Sequence, residues 1–158
     1  MTLAEDEAPL TLRWVAASDC GPLLEWRNHP QSRSVSHNTD PISPSIHDVW
    51  FERVMHNPDV LLLIGERGGE RVGMVRFDRL EPNRWVVSIN LNPDFRGRRL
   101  GAQVLRLGIE WLDQRHPGGV VLAEIMESNP ASQRIFSQCG FVLEHQDGAW
   151  QHWMRKPA

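Results

Sequence analysis

A short polar loop, residues 92–101, separates a segment of alternating apolar residues from an amphipathic segment, and this junction constrains the fold most strongly. Alternation over residues 85–91 places Val87, Ile89 and Leu91 on one face of a predicted strand. Beyond the loop, apolar residues recur at the spacing of a helix: Val104, Leu105, Gly108, Trp111 and Leu112. A strand that passes through a polar turn into an amphipathic helix is typical of domains that cover a sheet with helices.

Short turn signals divide the rest of the chain into strands and helices. Runs at 60–66, 71–80 and 85–91 are separated by Gly68-Gly69 and by Glu81-Pro82-Asn83, which predicts an antiparallel meander. The other predicted elements are a strand at 10–15, helices that begin near Ser18 and near Ser43 or Ser45, the helix after the loop, a strand at 120–126, a helix at 130–138 and a hairpin over 141–154. The predicted fold class is mixed α/β, with a mostly antiparallel central sheet flanked by helices.

The length of 158 residues predicts one domain, over residues 9–158, after a flexible tail at residues 1–8. No repeat or internal linker divides the sequence. The polar stretch 32–45 is too long for a simple connector, which favours a binding loop.

Composition argues against several classes of protein. The net charge of −3 and the pI of about 6.1 lack the basic character of a general nucleic-acid binder. The longest apolar run, 60–64, is too short to span a bilayer, and the acidic N-terminus has no signal-peptide pattern. The two cysteines fit a reducing compartment, so we expect a cytoplasmic protein. None of the seven histidines has a metal-ligand spacing, so we expect no metal.

The loop at 92–101 has the chemistry of an anion site. The first N–H groups of a helix lack intrahelical partners and carry the positive end of its dipole, and Arg96, Arg98 and Arg99 add positive charge. An arginine-rich solvated turn is the simpler alternative. The Gly-Lys-Ser/Thr of a Walker A loop is absent, and only Gly97 and Gly101 are present where a dinucleotide fingerprint needs three glycines.

Two segments together resemble the GNAT superfamily of acyl-CoA-dependent N-acetyltransferases. Residues 96–102, Arg-Gly-Arg-Arg-Leu-Gly-Ala, resemble its acetyl-CoA loop, and the segment from Asn129-Pro130 through Phe136 to Gly140-Phe141 resembles its second conserved element. The resemblance implies acetyl-CoA as co-substrate and two central strands that splay to admit the pantetheine arm. The implied cofactor-binding residues are Ile89, Asn90, Leu91, Arg96, Gly97, Arg98, Arg99, Leu100, Gly101, Ala102, Asn129, Ser132 and Phe136.

The sequence departs from the GNAT pattern at two positions. Arg99 stands where the loop pattern has a small residue, and Phe136 stands where many members place a tyrosine that protonates the CoA thiolate. The chain contains no tyrosine, so water, the departing ammonium, Cys139 or Ser137 remain as proton sources.

Two residues are the candidate catalytic groups. Glu124 lies in an otherwise apolar strand beside the expected acetyl group, where an inward carboxyl is harder to ionise and suits proton transfer; a structural ion pair is the alternative. His37 is the second candidate, because histidine titrates near neutrality, and His47 was considered for the same reason.

The segment 25–51 and residues 75–78 resemble GNAT enzymes that acetylate nucleotide-linked amino sugars in bacterial glycan synthesis of the pseudaminic-acid type. The implied substrate-binding residues are Trp26, Arg27, Asn28, Asn38, His47 and Arg76. The acceptor would then be a small-molecule primary amine. Two alternatives remain open, an acetyltransferase for protein or peptide N-termini and a CoA-binding module without catalysis. The C-terminal hairpin, with Trp150 and Trp153, offers an edge on which two subunits could pair as a homodimer.

Overall fold

A computed structural model describes residues 8–157, so all but the last residue of the tail expected at 1–8 lies outside the described residues. The α-helices are α1 (Cys20–Asn28), α2 (Pro30–Ser34), α3 (Pro44–His56), α4 (Leu100–Arg115) and α5 (Pro130–Gln138). The strands are β1 (Leu10–Trp14), β2 (Val60–Arg67), β3 (Glu70–Glu81), β4 (Arg84–Leu91), β5 (Val120–Met126), β6 (Val142–Asp147) and β7 (Trp150–Arg155). Single 3₁₀ turns at Ala17–Asp19 and Pro93–Phe95 precede α1 and follow β4.

The strands form one seven-stranded sheet in the order β1-β2-β3-β4-β5-β7-β6. Every neighbouring pair is antiparallel except β4 and β5, which confirms the predicted mixed α/β class. The parallel pair is short, because residues 84–86 pair with 120–122 and the recorded ladder between these described strands ends there. Beyond that point β4 and β5 diverge, which is the splay that the GNAT resemblance implies.

The two faces of the sheet are covered differently. The larger core lies between the sheet and α4 and α5, and it includes Phe77, Trp85 and Leu105. On the other face, α1 and α3 cover β2 and β3 through a smaller cluster that contains Trp26 and Phe51. The helices of this second layer lie over one half of the sheet, and several side chains of β5 to β7 on the same face remain exposed or half-buried. This uncovered half lies next to the splay.

A buried carboxylate, Asp19, lies directly before the start of α1. We expected a helix start near Ser18, but α1 begins at Cys20, after the 3₁₀ turn. Asp19 is fully buried and accepts hydrogen bonds from Arg13 (2.8 Å to each oxygen), from Arg71 (2.7 Å) and from the Ala16 N–H (2.7 Å). Burial by itself would raise the pKa of Asp19, but these hydrogen bonds outweigh it and lower the pKa to about 2. Asp19 therefore joins β1, β3 and α1.

The stretch 32–45 is not an unbroken loop, since α2 occupies its beginning. Its end has the predicted cap, because the Ser43 hydroxyl accepts from the Ile46 N–H at 3.4 Å and starts α3. Within residues 8–157, no helix has both the length and the apolar character needed to cross a membrane.

A glycine controls how closely β3 approaches the end of β4. A Cβ added to Gly73 would lie 2.8 Å from Leu91 Cδ2 and 2.9 Å from the Asn90 carbonyl oxygen. We expect Gly73→Ala to destabilise the fold by about 1–3 kcal/mol, because the backbone of β4 must shift. Chemical denaturation measures this change. Gly21→Ala is the control: apart from the adjacent residues and the nearby backbone of α1, no atom lies within 4 Å of its added Cβ, so equal destabilisation by both variants would contradict the explanation.

Candidate active site

The diverging part of β4 supplies the first wall of the candidate site. Ile89 and Leu91 pack against the larger core, as their alternation predicts. Asn90 faces the opposite side of the sheet, where its Oδ1 accepts from the Ser32 hydroxyl at 3.2 Å. On its β5 side, this part of the described strand has no recorded partner strand, so its backbone is positioned to pair with an extended ligand.

The loop after β4 presents the start of α4. Gly97 has φ +78°, and Arg99 adopts the left-handed conformation (φ +60°, ψ 22°) directly before α4 begins at Leu100. The Arg99 side chain makes no capping hydrogen bond. The first N–H groups of α4 therefore lack intrahelical partners and keep the capacity to bind an anion. A left-handed residue followed by helical residues also forms a concave nest of N–H groups.

The three arginines of this loop have different surroundings. Arg98 and Arg99 are exposed, and the Arg98 guanidinium lies 5.2 Å from the centre of the Phe95 ring. Arg96 is half-buried, and burial lowers its pKa. Its guanidinium donates to Gln31 Oε1 at 2.8 Å and to Ser32 Oγ at 2.6 Å, and its backbone N–H donates to the Pro93 carbonyl. Arg96 thus joins the loop to α2.

The remaining loop positions are also part of the core. Leu100 and Ala102 are buried, so their contribution to a ligand is limited to their backbone. A Cβ on Gly101 would lie 2.6 Å from Ile135 Cδ1, which shows that this glycine lets α4 approach α5. This close helix contact is a sufficient reason for the missing side chain at Gly101.

The second GNAT-like segment builds the start of α5. The Asn129 side chain accepts from the Ser132 N–H at 3.2 Å and donates to Ser132 Oγ at 3.1 Å, so it caps the helix as predicted. Phe136 is buried against Phe141, with the ring centres 4.9 Å apart at 80°. Phe136 therefore packs in the core.

The two predicted catalytic residues meet on the uncovered half of the sheet. His37 Nε2 donates to Glu124 Oε2 at 2.7 Å, across 87 positions of sequence. Leu122 is the last residue of β5 that pairs with β4. Glu124 lies two positions further along, at the opening of the splay. The expectation that Glu124 points inward is wrong: its side chain is 46% exposed, because the alternation of β5 turns Val121, Ala123 and Ile125 to the core and Glu124 away from it.

Aromatic residues of the C-terminal hairpin surround this pair. The His37 ring stacks on Trp150, with ring centres 3.6 Å apart and planes 11° apart. His152 lies opposite Glu124 in the register of β5 and β7, and its Nδ1 is 4.0 Å from Glu124 Oε1. The His152 ring in turn stacks on His145 at 4.3 Å. Sequence analysis did not identify Trp150 and His152 as neighbours of this pair, although strand alternation places both on one face of β7.

Two of the predicted acceptor residues are buried and have structural roles. Trp26 is 4% exposed and fills the smaller core cluster, so it offers no surface for stacking. His47 is also 4% exposed, and its Nε2 donates to the Cys20 carbonyl at 2.8 Å, which joins α3 to α1. Their burial argues against the predicted role in substrate binding, because the apolar face of each helix turns these rings inward.

Three further predicted acceptor residues hold the loop between α2 and α3. Asn28 exchanges two hydrogen bonds with the backbone of Ile42, at 2.7 and 2.8 Å. Arg27 Nη2 donates to the Asn38 carbonyl at 2.8 Å, and burial and the nearby Arg33 charge lower the pKa of Arg27. The Asn38 side chain accepts from the Asp40 N–H at 3.0 Å. These contacts shape the loop.

Arg76 lies on β3, on the sheet face that carries Asn90. Its Nε donates to Asp78 at 3.0 Å, and its guanidinium lies 5.6 Å from the centre of the Trp50 ring. The candidate site is therefore a basic loop on one side of the splay and a carboxylate–imidazole pair with aromatic neighbours on the other. Among residues 8–157, no group of three or more histidine, cysteine, aspartate or glutamate side chains is arranged to hold a metal ion.

The mostly antiparallel sheet, its splay and the loop at the opening match the arrangement that the GNAT resemblance implies. Residues 9–142 match the family described as acetyltransferase (GNAT) domain, and the chain belongs to that family. It is therefore an acyltransferase of the GNAT type. No curated protein matches the sequence at a significant level.

Several solved structures share this fold. The spermidine N-acetyltransferase from Vibrio cholerae in complex with CoA and spermine superimposes with a TM-score of 0.85 at 15% identity, covering 94% of this chain and 95% of that chain. Aminoglycoside acetyltransferase AAC(6')-Ib in complex with coenzyme A gives 0.78 at 16% identity, covering 94% and 95%. The Campylobacter jejuni N-acetyltransferase PseH gives 0.74 at 12% identity, covering 94% and 99%. At these identities the likeness shows the fold.

Proposed function

We propose that the protein transfers an acetyl group from acetyl-CoA to the primary amine of a small molecule. The donor fits the geometry, because β4 has an unpaired edge along the splay and the loop after it ends in the free N–H groups of α4. When bound, acetyl-CoA supplies the activated acyl group. The loop residues Gly97 to Ala102 would hold its pyrophosphate, and Ile89, Asn90 and Leu91 would line its pantetheine arm.

The contact between His37 and Glu124 carries the catalytic part of this proposal. Because Nε2–H donates to the carboxylate, Nδ1 of the same ring keeps a lone pair that can take a proton from the acceptor amine. The neutral amine attacks the acyl carbon and a C–N bond forms, Nδ1 takes the proton that the attacking nitrogen loses, and the C–S bond breaks. The Glu124 carboxylate stabilises the imidazolium that results, as an orienting carboxylate does beside other catalytic histidines.

The proton for the departing thiolate has to come from a group other than Phe136, whose ring is buried. Cys139 is a poor donor, because its thiol already donates to the Ala102 carbonyl at 3.5 Å and burial raises its pKa. Water, the departing ammonium, Ser137 and the imidazolium of His37 remain as sources, and we assign the role to His37 because it already holds a proton at this site. Return of the proton from His37 closes the cycle without a tyrosine.

The acceptor binds, in this proposal, on the uncovered face of β5 and β7, next to Trp150 and His152. A nucleotide-linked amino sugar, the acceptor that the sequence suggests, is supported by the placement of Arg76 beside Trp50 and by the fold shared with the C. jejuni enzyme PseH. It loses the support of Trp26 and His47, which are buried. Polyamines and aminoglycosides are therefore tested beside amino sugars, since two other structural neighbours were solved with spermine or belong to the aminoglycoside acetyltransferases.

Thiol release from acetyl-CoA, measured against 4-amino sugar nucleotides, polyamines, aminoglycosides and short peptides, tests the proposal. Turnover with a small amine supports it and identifies the acceptor class. Turnover with peptides alone would make the protein an N-terminal acetyltransferase. CoA binding by calorimetry without turnover on the whole panel would favour a silent CoA-binding module, and absence of CoA binding would contradict the proposal altogether.

A further inference from the structure

The segment from His29 to His37 crosses the opening between the splayed strands, and we call it the bridging segment. It contains α2 and the three residues after it. Near its start it contacts β4 through Asn90, and at its end it contacts β5 through Glu124. One short piece of chain therefore touches both sides of the splay on the acceptor face.

The start of the bridging segment is held by the loop between β4 and α4, residues 92–99, which we call the donor loop because it would bind the acyl donor. Arg96 donates to Gln31 Oε1 at 2.8 Å and to Ser32 Oγ at 2.6 Å, and its Nη1 also lies 3.4 Å from His29 Nδ1. Arg96 is the residue directly before Gly97, where the backbone turns with a positive φ into the anion-binding part of the loop. A change in the loop is thus passed directly to α2.

Ser32 is the centre of this connection. It is buried, and its hydroxyl accepts from Arg96 while it donates to Asn90 Oδ1 at 3.2 Å. The hydroxyl therefore uses its one donor and at least one lone pair on two different elements. A buried hydrogen-bond chain of this kind holds its members in a single arrangement, because an unpaired member is costly.

The end of the bridging segment connects Ser32 to the catalytic pair. The Ser36 hydroxyl donates to the Ser32 carbonyl at 2.6 Å, which closes a turn between them. The next residue is His37, whose ring lies between Glu124 and the stacked Trp150. Five positions separate Ser32 from His37, so the placement of the imidazole depends on the placement of α2.

We propose that Ser32 is a positioning residue: by joining Arg96 to Asn90, it holds the bridging segment so that His37 meets Glu124. The occupied donor loop is thereby coupled to assembly of the proton-accepting pair. This inference rests on the proposed function for its catalytic meaning, but the coupling between Ser32 and His37 is a structural property that can be measured without turnover.

The test compares Ser32→Ala with Ser34→Ala in the full-length protein. Ser34 lies on the same short helix and its hydroxyl donates to the Gln31 carbonyl at 2.8 Å, so its variant removes a hydroxyl from α2 without touching Arg96 or Asn90. Ser32→Thr keeps the hydroxyl and serves as the conservative variant. Asn90→Ala cuts the other end of the connection and replaces Ser32→Ala if that variant does not fold.

The primary readout is the imidazole NMR signal of His37, assigned by its loss in His37→Ala. We expect Ser32→Ala, but not Ser34→Ala, to shift this signal, and we expect added CoA to move it in the wild type and not in Ser32→Ala. An unchanged His37 signal in Ser32→Ala would overturn the inference. If the wild type acetylates no amine while the signal behaves as expected, the proposed function fails and the coupling stands.

Activity supplies the second readout. A small displacement of a catalytic group reduces turnover strongly, so we expect Ser32→Ala to lower kcat by about 10- to 100-fold, with recovery in Ser32→Thr. In the His37→Ala background the same change is expected to have less than about a twofold effect, because residues that act through one another are not additive. Equal losses in both backgrounds would show that Ser32 acts independently of His37 and would overturn the inference.

Discussion

Glu124→Gln is expected to lower kcat by about 10²- to 10³-fold, the range for loss of a group that assists proton transfer. Glutamine has nearly the same shape and its carbonyl still accepts from His37, but it carries no charge to stabilise the imidazolium. Because the side chain is 46% exposed, the substitution leaves no buried polar group unpaired and is expected to preserve the fold. Steady-state thiol release measures the effect once an acceptor is known.

The matched control is Glu144→Gln, which neutralises an exposed carboxylate on β6, the edge strand beyond β7. CoA affinity, measured by calorimetry, is expected to be the same in both variants and in the wild type, because neither side chain belongs to the donor loop. Glu124→Gln combined with His37→Ala is expected to be little worse than either variant by itself. If Glu124→Gln retains more than about half of the wild-type kcat, the Glu124 carboxylate does not assist proton transfer through His37.

Asp19→Ala is expected to destabilise the protein by about 3–5 kcal/mol, the usual range for breaking a buried ion pair by removing one partner. The substitution leaves Arg13 and Arg71 close together without the carboxylate between them, and it removes the acceptor of the Ala16 N–H. Chemical denaturation and thermal melting both report the loss. Asp59→Ala, at an exposed position before β2, is the control and is expected to change stability by less than about 0.5 kcal/mol.

The lowered pKa of Asp19 predicts that the free energy of unfolding depends on pH in the acid range. The pKa of Asp19 is lowered in the folded protein to about 2, from its ordinary value of 3.8. The unfolded chain therefore binds the proton first, so the stabilisation is complete above about pH 4 and is lost as the pH falls toward 2. The contribution is about 2 kcal/mol, and it should be missing from the acid unfolding curve of Asp19→Ala. Parallel acid curves for the wild type and the variant would contradict this assignment.

Local patterns were reliable where the structure depends on neighbours in sequence. The meander from β2 to β4 and the start of α3 near Ser43 or Ser45 were predicted, because alternation and capping act over a few residues. The predicted start of α1 near Ser18 was early by two residues, because a 3₁₀ turn that Asp19 closes with Ala16 precedes the helix. Asp19 is also held by Arg71, 52 positions away, and no local signal marks that contact.

The candidate site shows the same division. The sequence by itself determined the order of strands and helices, the polar loop that opens α4 and the family to which the chain belongs, since these depend on periodicity and short motifs. Only the tertiary structure decided which side chains are available for chemistry. It buried Trp26 and His47, and it brought His37 against Glu124. A pattern of one residue type on a helix or strand shows which positions share a face, but the direction of that face is set by long-range packing.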